Sequence, residues 1–180
     1  MTIHKLLVAN RGEIAERIIR SARALDIVTV AVHSDPDTDA LFVEAADEAV
    51  RLPGAAPSET YLRADLIIEA ALLTGADAIH PGYGFLSENA DFAQAVVDAG
   101  LTWVGPDASS ITSMGSKIGA KELMKSAGVP ILEAPESPTE ADLPLLVKAS
   151  AGGGGRGMRI VRALADLEGE IGKAREEAAS

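Results

Sequence analysis

A glycine-rich run from Gly152 to Gly157, interrupted only by Arg156, restricts the possible folds of this chain more than any other feature. Glycine loses the most conformational entropy on folding and adds no packing, so such a run is expected where the backbone adopts positive φ angles or closely approaches a ligand. Apolar segments flank it, because Leu145 to Val147 lead into Lys148, and Met158 to Arg162 alternates apolar and basic residues. The pattern predicts a strand, a glycine loop and a second strand, forming a flap over an anion such as phosphate.

Two other glycine-rich phosphate sites fit this run less well. Gly152, Gly154 and Gly157 satisfy the dinucleotide fingerprint G-x-G-x-x-G, but that motif opens a helix and is followed by an acid about 20 residues later. A strand pattern follows here instead. A Walker loop needs a lysine and then serine or threonine directly after the last glycine, and neither is present. A flexible linker is the remaining alternative, which the two flanking apolar strands disfavour.

Composition limits the classes of partner. The 180 residues carry a net charge of -11, which argues against a nucleic acid or a membrane surface as partner and requires any bound anion to be held locally. Four basic residues cluster around the glycine run: Lys148, Arg156, Arg159 and Arg162. The chain has no cysteine, its first residues do not resemble a signal peptide, and no apolar run reaches the length of a membrane span. We therefore expect a soluble, cytoplasmic protein.

The first two thirds of the chain alternate short apolar runs with helical patterns, which predicts an α/β fold with a doubly wound parallel sheet. The expected strands are Lys5–Ala9, Ile27–Val32, Glu48–Leu52, Gly75–Ile79 and Thr102–Gly105. Two expected inward-facing helical stripes are Ile14, Ile18, Ala22 and Leu25, and Leu62, Leu66, Ile67, Ala70 and Leu73. A last helix is predicted from Ala163 to Ser180.

Acidic residues at Asp35, Asp37 and Asp39 have the spacing of a calcium loop, but alanine stands at the positions of the turn glycine and the bidentate glutamate. We instead expect Asp37 or Asp39 to cap the following helix. Gly12 is expected to permit close contact between the first helix and the first strand.

The segment from His80 to Asn89 follows the fourth expected strand, at the sheet edge where doubly wound folds bind ligands. Two glycines, one of them Gly84, bracket Tyr83 there. His80 on its own is better explained as a buried histidine that caps the strand than as a catalytic group, and the spacing of the three histidines does not support a zinc site. Lys117 is expected in the first turn of a helix, where it contacts a second phosphate or is a solvated surface lysine.

Four blocks of the sequence together resemble the biotin carboxylases, the ATP-grasp components of acetyl-CoA, propionyl-CoA and pyruvate carboxylases. The blocks are ANRGEIA from Ala9, AIHPGYGFLSEN from Ala78, MGSK from Met114 and KASAGGGGRGMR from Lys148. The resemblance implies a Rossmann-like pre-ATP-grasp domain over 1–115, a helical connector over 116–133, and the beginning of an ATP-grasp lid domain over 134–180.

The resemblance also implies roles for individual residues. Tyr83 and Gly84 would face biotin and bicarbonate, and Lys117 and Lys148 would contact the nucleotide. The residues expected to cover the phosphates are Gly152, Gly153, Gly154, Gly155, Arg156 and Gly157. The family's Mg²⁺ ligands, bicarbonate-binding arginine and general base are expected downstream of Ser180, so no catalytic or metal-binding residue is assigned within the chain.

The implied reaction is ATP-dependent carboxylation of biotin held on a carrier domain, with bicarbonate activated as carboxyphosphate. The implied cofactors are ATP, Mg²⁺ and biotin, and the implied partners are the biotin carboxyl carrier domain and a carboxyltransferase subunit, which selects the acyl-CoA. A homodimer through the face of Arg20 is implied as well, although Ala24 stands where the family has an acid. The alternatives are another ATP-grasp ligase of the carbamoyl-phosphate type, which AIHPGYGFLSEN disfavours, and a non-catalytic domain that binds nucleotide or a partner.

Overall fold

The computed structural model of the chain describes residues 2–115, 117–133, 135, 137–148 and 158–179, and their side chains except at positions 117, 118, 178 and 179. The chain divides into two compact units, residues 1–112 and 113–180. The division expected from the sequence, into 1–115, 116–133 and 134–180, stays a prediction.

Helices and strands alternate in the first unit. Its strands are β1 (Lys5–Val8), β2 (Val28–His33), β3 (Glu48–Arg51), β4 (Ala78–His80) and β5 (Thr102–Trp103). Its helices are α1 (Gly12–Arg23), α2 (Leu41–Ala45), α3 (Ala64–Thr74) and α4 (Ala90–Asp98), followed by α5 (Ala108–Gly115) at the boundary between the units. The strands form one sheet in the order β3-β2-β1-β4-β5, and every pair is parallel. The predicted α/β fold with a parallel sheet is confirmed.

Helices cover both faces of this sheet. Successive residues of a strand point to opposite sides, so one strand contributes side chains to both packed faces. Leu6 and Val8 of β1 pack with the buried stripe of α1 and with Phe42 of α2. Leu7, between them, joins the other core, to which α3 contributes Ile67 and α4 contributes Phe92. Burial on both faces explains why β1 is a continuous apolar run.

Three residues expected to face the core are exposed, namely Leu25, Leu62 and Leu73. Leu25 lies beyond the last residue of α1, in a turn where Asp26 has a φ of 58°, and Leu62 lies before the first residue of α3. The buried positions of α3 are Ile67, Ala70 and Ala71, so Leu73 falls on the other side of the helix. The helix ends therefore explain the exposure of Leu25 and Leu62, and the rotation of α3 against the sheet explains that of Leu73.

Gly12 was wrongly expected to allow close packing. A Cβ built there meets no atom within 4 Å, whereas the φ of Gly12 is +63°. The glycine is therefore explained by the left-handed turn between β1 and α1.

The second unit contains the predicted hairpin. Its elements are α6 (Lys117–Ser126), β6 (Leu145–Lys148), β7 (Met158–Val161) and α7 (Leu167–Ala179). Strands β6 and β7 are antiparallel, with Lys148 opposite Met158, and α7 contacts both of them. The last helix starts at Leu167 rather than at Ala163, because a 3-10 turn over Leu164–Asp166 precedes it. None of the helices in the described part of the chain has both the length and the apolar composition that a membrane crossing needs.

Candidate functional site

The order of the strands identifies one edge of the first unit as a candidate ligand site. The chain builds β2 and β3 on one side of β1 and then β4 and β5 on the other, so its direction reverses between β1 and β4. Doubly wound sheets bind ligands at the carboxyl ends of the strands at such a switch point. A cavity of about 370 Å³ lies there, lined by Asn10 to Ile14 after β1 and by Tyr83 to Phe85 after β4.

The loop after β4 has an unusual backbone. Gly82 and Gly84 have φ angles of +66° and +65°, and Phe85 has a φ of +42°, which is uncommon for a residue other than glycine. Glycine adopts such angles freely, but a phenylalanine keeps them only where surrounding contacts hold it, and residues of this kind cluster at functional sites.

Asn10 supplies contacts of this kind from the end of β1. Its side chain is buried, and its Nδ2 donates to the carbonyl oxygens of Pro81 and Tyr83 over 2.7 Å each. Its Oδ1 accepts from the backbone N–H of Arg11. The β1–α1 turn and the β4 loop are thus joined through one buried amide, a role that the sequence pattern around Asn10 does not indicate.

Tyr83 and Gly84, the two residues expected to face biotin and bicarbonate, both line this cavity. Tyr83 is 61% exposed, and its phenol donates to Oε1 of Glu13, which raises the pKa of Tyr83. A Cβ built on Gly84 meets no atom within 4 Å, so the backbone there is open to a ligand. The cavity therefore combines a phenol, a carboxylate and accessible backbone, which suits binding through hydrogen bonds.

Beside this cavity, Arg11 and Asp37 form an ion pair. Arg11 Nε and Nη2 donate to the two carboxylate oxygens of Asp37 over 2.6 and 2.5 Å. Asp37 Oδ2 also accepts from the Tyr61 hydroxyl at 2.6 Å and from Ser34 Oγ at 3.1 Å. The hydrogen bonds from Arg11 are the main reason why the pKa of Asp37 is lowered to about 2.

Asp37 was wrongly expected to cap α2, since the residue before that helix is Ala40 and no side chain caps it. The carboxylate instead accepts from a guanidinium and a phenol, because charge-assisted hydrogen bonds at a buried position outweigh a cap on a five-residue helix.

Tyr61 connects this ion pair to the β4 loop. Its ring stacks on Phe85, with the ring centroids 5.2 Å apart and the planes 12° from parallel. Burial is the main cause that raises the pKa of Tyr61, so the phenol stays neutral as a donor to Asp37. The loop is therefore held both by Asn10 and through Phe85.

His80 ends β4, but it is only half-buried, whereas a buried histidine was expected from the sequence. The N–H of Gly82 donates to its Nδ1 over 3.0 Å, and burial lowers the pKa of the imidazole. The ring is therefore neutral at pH 7 and closes the end of β4. Within the described residues, no group of three or more His, Cys, Asp or Glu side chains is placed to hold a metal ion.

The residues expected to bind nucleotide belong to the second unit. Lys148 is exposed at the end of β6, and Lys117 is the first residue of α6, with a side chain outside the described ones. Gly152 to Gly157, with Arg156, also lie outside the described residues. Arg20 is exposed on α1. The roles assigned to these residues and to Tyr83 and Gly84 remain predictions.

Comparison with known proteins identifies two consecutive family regions. Residues 2–111 match the family described as biotin carboxylase, N-terminal domain. Residues 110–180 match the family described as carbamoyl-phosphate synthase L chain, ATP binding domain.

Individual relatives match the whole length of the chain. Biotin carboxylase 1 of Bacillus subtilis is 49% identical over 99% of this chain and 42% of its own. A biotin carboxylase structure from Campylobacter jejuni, a β-γ-ATP complex, superposes with a TM-score of 0.91 at 39% identity, covering 98% of this chain and 42% of that one.

A third relative is the biotin carboxylase domain dimer of 2-oxoglutarate carboxylase from Hydrogenobacter thermophilus, solved with MgADP, ADP and bicarbonate. It superposes with a TM-score of 0.84 at 42% identity, covering 99% of this chain and 43% of that one. The chain thus spans about two fifths of the length of the relatives described here.

Proposed function

We propose that this chain, which belongs to the biotin carboxylase family, forms the N-terminal part of a ligase that carboxylates carrier-held biotin with ATP and bicarbonate. The observation that carries the proposal is the cavity at the β1–β4 switch point, lined by Tyr83 and Gly84, in a chain that matches biotin carboxylases over nearly all its residues. The parent enzyme is proposed to be the carboxylase subunit of an acyl-CoA carboxylase, acting on acetyl-CoA or propionyl-CoA through its carboxyltransferase partner.

The proposed reaction divides between two sites. At the nucleotide site, a bicarbonate oxygen attacks the γ-phosphorus of ATP, which releases ADP and forms carboxyphosphate. Lys117, Lys148 and the backbone amides of Gly152–Gly157 would stabilise the charge on the transferring phosphoryl group, a task that requires donors rather than nucleophiles. The described residues offer no cluster of metal ligands, so we assign none of them to Mg²⁺.

At the biotin site, a ureido nitrogen of biotin bonds to the carboxyl carbon of carboxyphosphate while the bond from that carbon to the phosphate oxygen breaks, and the released inorganic phosphate takes up the ureido N–H proton. The ureido group has one carbonyl acceptor and two N–H donors, and it is flat. We propose that it lies against Tyr83 and Gly84, where a phenol and an open stretch of backbone line the cavity. Binding there would orient the ring, because hydrogen bonds to its edge are directional.

We also propose the organisation of the parent protein. Residues 1–115 would be the pre-ATP-grasp domain, 116–133 the connector and 134–180 the start of the ATP-grasp lid. Homodimerisation through the face of Arg20, binding of a biotin carboxyl carrier domain and a cytoplasmic location are parts of the same proposal. The dimer is supported by the Hydrogenobacter thermophilus relative, which was solved as one.

The test is ADP release by the full-length protein in four mixtures: complete, without bicarbonate, without biotin, and with ammonia in place of biotin. The proposal predicts ADP release that requires both bicarbonate and free biotin. ADP release that requires ammonia and does not depend on biotin would favour a carbamoyl-phosphate-type ligase. The family matched over residues 110–180 is named after such an enzyme. Absence of ADP release in all four mixtures would favour a non-catalytic domain.

A further inference from the structure

We infer that Asn10 is a positioning residue that holds the Gly82–Phe85 loop in the conformation needed for biotin, an inference that rests on the proposed function. Asn10 is 3% exposed, so it is far less accessible than Tyr83, and it reaches this loop from the turn between β1 and α1. Its effect on a ligand would therefore pass through the loop backbone.

The hydrogen bonds of Asn10 use the donors and the acceptor of its amide. The Nδ2 group carries two N–H bonds and donates to two loop carbonyls, those of Pro81 and Tyr83, at 2.7 Å each. Oδ1 accepts from the N–H of Arg11. Rotating the amide by 180° would place its oxygen against the two carbonyls, so this network allows one orientation of the side chain.

These bonds set the direction of two peptide groups. A peptide is planar and trans, so holding the Tyr83 carbonyl makes the Gly84 N–H point the opposite way, away from Asn10. Holding the Pro81 carbonyl does the same for the Gly82 N–H, which donates to Nδ1 of His80. Asn10 thereby orients the backbone donor of Gly84, a residue that lines the cavity.

Gly82 is matched to Asn10 by shape. A Cβ built on Gly82 would lie 2.7 Å from Asn10 Nδ2 and 3.1 Å from its Cβ, contacts that the buried amide cannot accept without moving. Gly75 has nearly the same φ, +67° against +66°, but its Cβ would meet no atom within 4 Å. Gly75 closes the C-terminus of α3 and does not line the cavity. It therefore provides a control for the backbone strain of a Gly→Ala substitution without the contact to Asn10.

The experiment uses the full-length protein with free biotin and compares Asn10→Ala, Gly82→Ala, the double variant and Gly75→Ala. We expect Asn10→Ala and Gly82→Ala each to raise the KM for biotin about tenfold, as loss of a buried hydrogen-bonding partner implies, with the KM for ATP changed less than about twofold. Gly75→Ala should leave both constants at the wild-type level. Thermal unfolding of each variant identifies any that fails to fold, in which case the other single variant carries the test.

The double variant tests whether the two residues act as a unit. Asn10→Ala removes the amide nitrogen that would lie 2.7 Å from a methyl group at position 82, and only the milder 3.1 Å contact to Cβ remains. The double variant should therefore resemble either single variant, with a KM for biotin raised about tenfold. Independent effects would multiply to about a hundredfold and would overturn the pairing. Equal rises in the KM values for biotin and ATP, or an unchanged KM for biotin in a folded Asn10→Ala protein, would overturn the positioning role.

Amide hydrogen exchange separates this inference from the proposed function. We expect faster exchange across residues 82–85 in Asn10→Ala and Gly82→Ala but not in Gly75→Ala, a result that does not depend on turnover. If the wild-type protein shows no biotin-dependent turnover, the proposed function and the biotin role of Asn10 are both wrong. The exchange rates would then still test whether Asn10 holds the loop. Equal rates in Asn10→Ala and wild type would overturn this structural claim as well.

Discussion

Replacing Asp37 by asparagine should destabilise the first unit in a way that depends on pH. The carboxylate accepts two hydrogen bonds from Arg11, one from Tyr61 and one from Ser34. An asparagine oxygen can take the place of Oδ2, but its amide N–H₂ then faces Arg11 Nη2, donor against donor. The substitution keeps the shape of the side chain and removes its charge.

The size of the effect follows from the pKa of Asp37, which folding lowers from 3.8 to about 2. At about 1.36 kcal/mol per pH unit, this difference corresponds to about 2.5 kcal/mol of stability at pH 7. The Asp37 side chain is only 10% exposed, but that of Arg11 is 48% exposed, so solvent screens part of the interaction. We expect Asp37→Asn to lower the free energy of unfolding by about 1 to 2 kcal/mol at pH 7.

The sign of the pH dependence is set by the lowered pKa. Above pH 3.8 the carboxylate is ionised in both states and contributes its full stabilisation, which is lost as the pH falls through about 2. At pH 3 about half of the contribution should be gone, because the unfolded chain is already largely protonated at this position. Wild type and Asp37→Asn should therefore differ about half as much at pH 3 as at pH 7.

The free energy of unfolding at pH 7 and pH 3 can be measured by urea unfolding followed through the fluorescence of Trp103. This residue is the single tryptophan of the chain and lies in the first unit. Its ring packs edge-on against Phe92, 5.5 Å away, so unfolding changes its surroundings. The matched control is Asp35→Asn, which breaks a similar pair with Arg51 at an exposed position and should cost much less. Equal losses in the two variants, or a difference between Asp37→Asn and wild type that is the same at pH 7 and pH 3, would refute the reasoning.

Three further predictions concern the nucleotide side and the chain itself. In the full-length enzyme, Lys148→Ala should raise the KM for ATP about tenfold or more and slow biotin-dependent ADP release, because a charge-assisted contact to phosphate is lost. Unchanged kinetics at limiting and saturating ATP would show that Lys148 is not part of the site. Gly154→Val combined with Gly155→Val should reduce turnover while the melting temperature stays nearly constant, since branched residues disfavour positive φ angles. A steep fall in melting temperature with normal turnover would show that the loop serves stability and not catalysis. The 180-residue chain alone should show no bicarbonate-dependent ADP release with free biotin, and measurable release would contradict the proposed position of the catalytic residues.

The sequence alone was sufficient to predict the α/β class, the parallel sheet and the hairpin. Unbroken apolar runs such as Lys5–Ala9 predicted buried parallel strands, and alternation in Met158–Arg162 predicted a half-exposed strand beside the glycine run. Both predictions are confirmed, by the five-stranded parallel sheet and by the β6–β7 hairpin. They succeeded because periodicity and burial are encoded within short segments, where neighbours in the chain carry the information.

The helix stripes show where this local information stops. Leu25 and Leu73 match the helical period, yet both are exposed. Which residues face a sheet depends on where the helix begins, where it ends and how it is rotated against the strands, and these are decided by packing. The order of the strands, which creates the switch point between β1 and β4, is decided in the same way.

The contacts of the candidate site were decided only by the tertiary structure. Asn10 binds carbonyls 71 and 73 residues further along the chain, and Asp37 binds Arg11 and Tyr61 at separations of 26 and 24 residues. From its neighbours alone, Asp37 was expected to be a helix cap, because short polar side chains before a helix commonly cap it. In the folded chain a guanidinium and a phenol donate to it at a buried position, and these charge-assisted hydrogen bonds outweigh a helix cap. The residues next to Asp37 in the sequence carry no information about these distant partners.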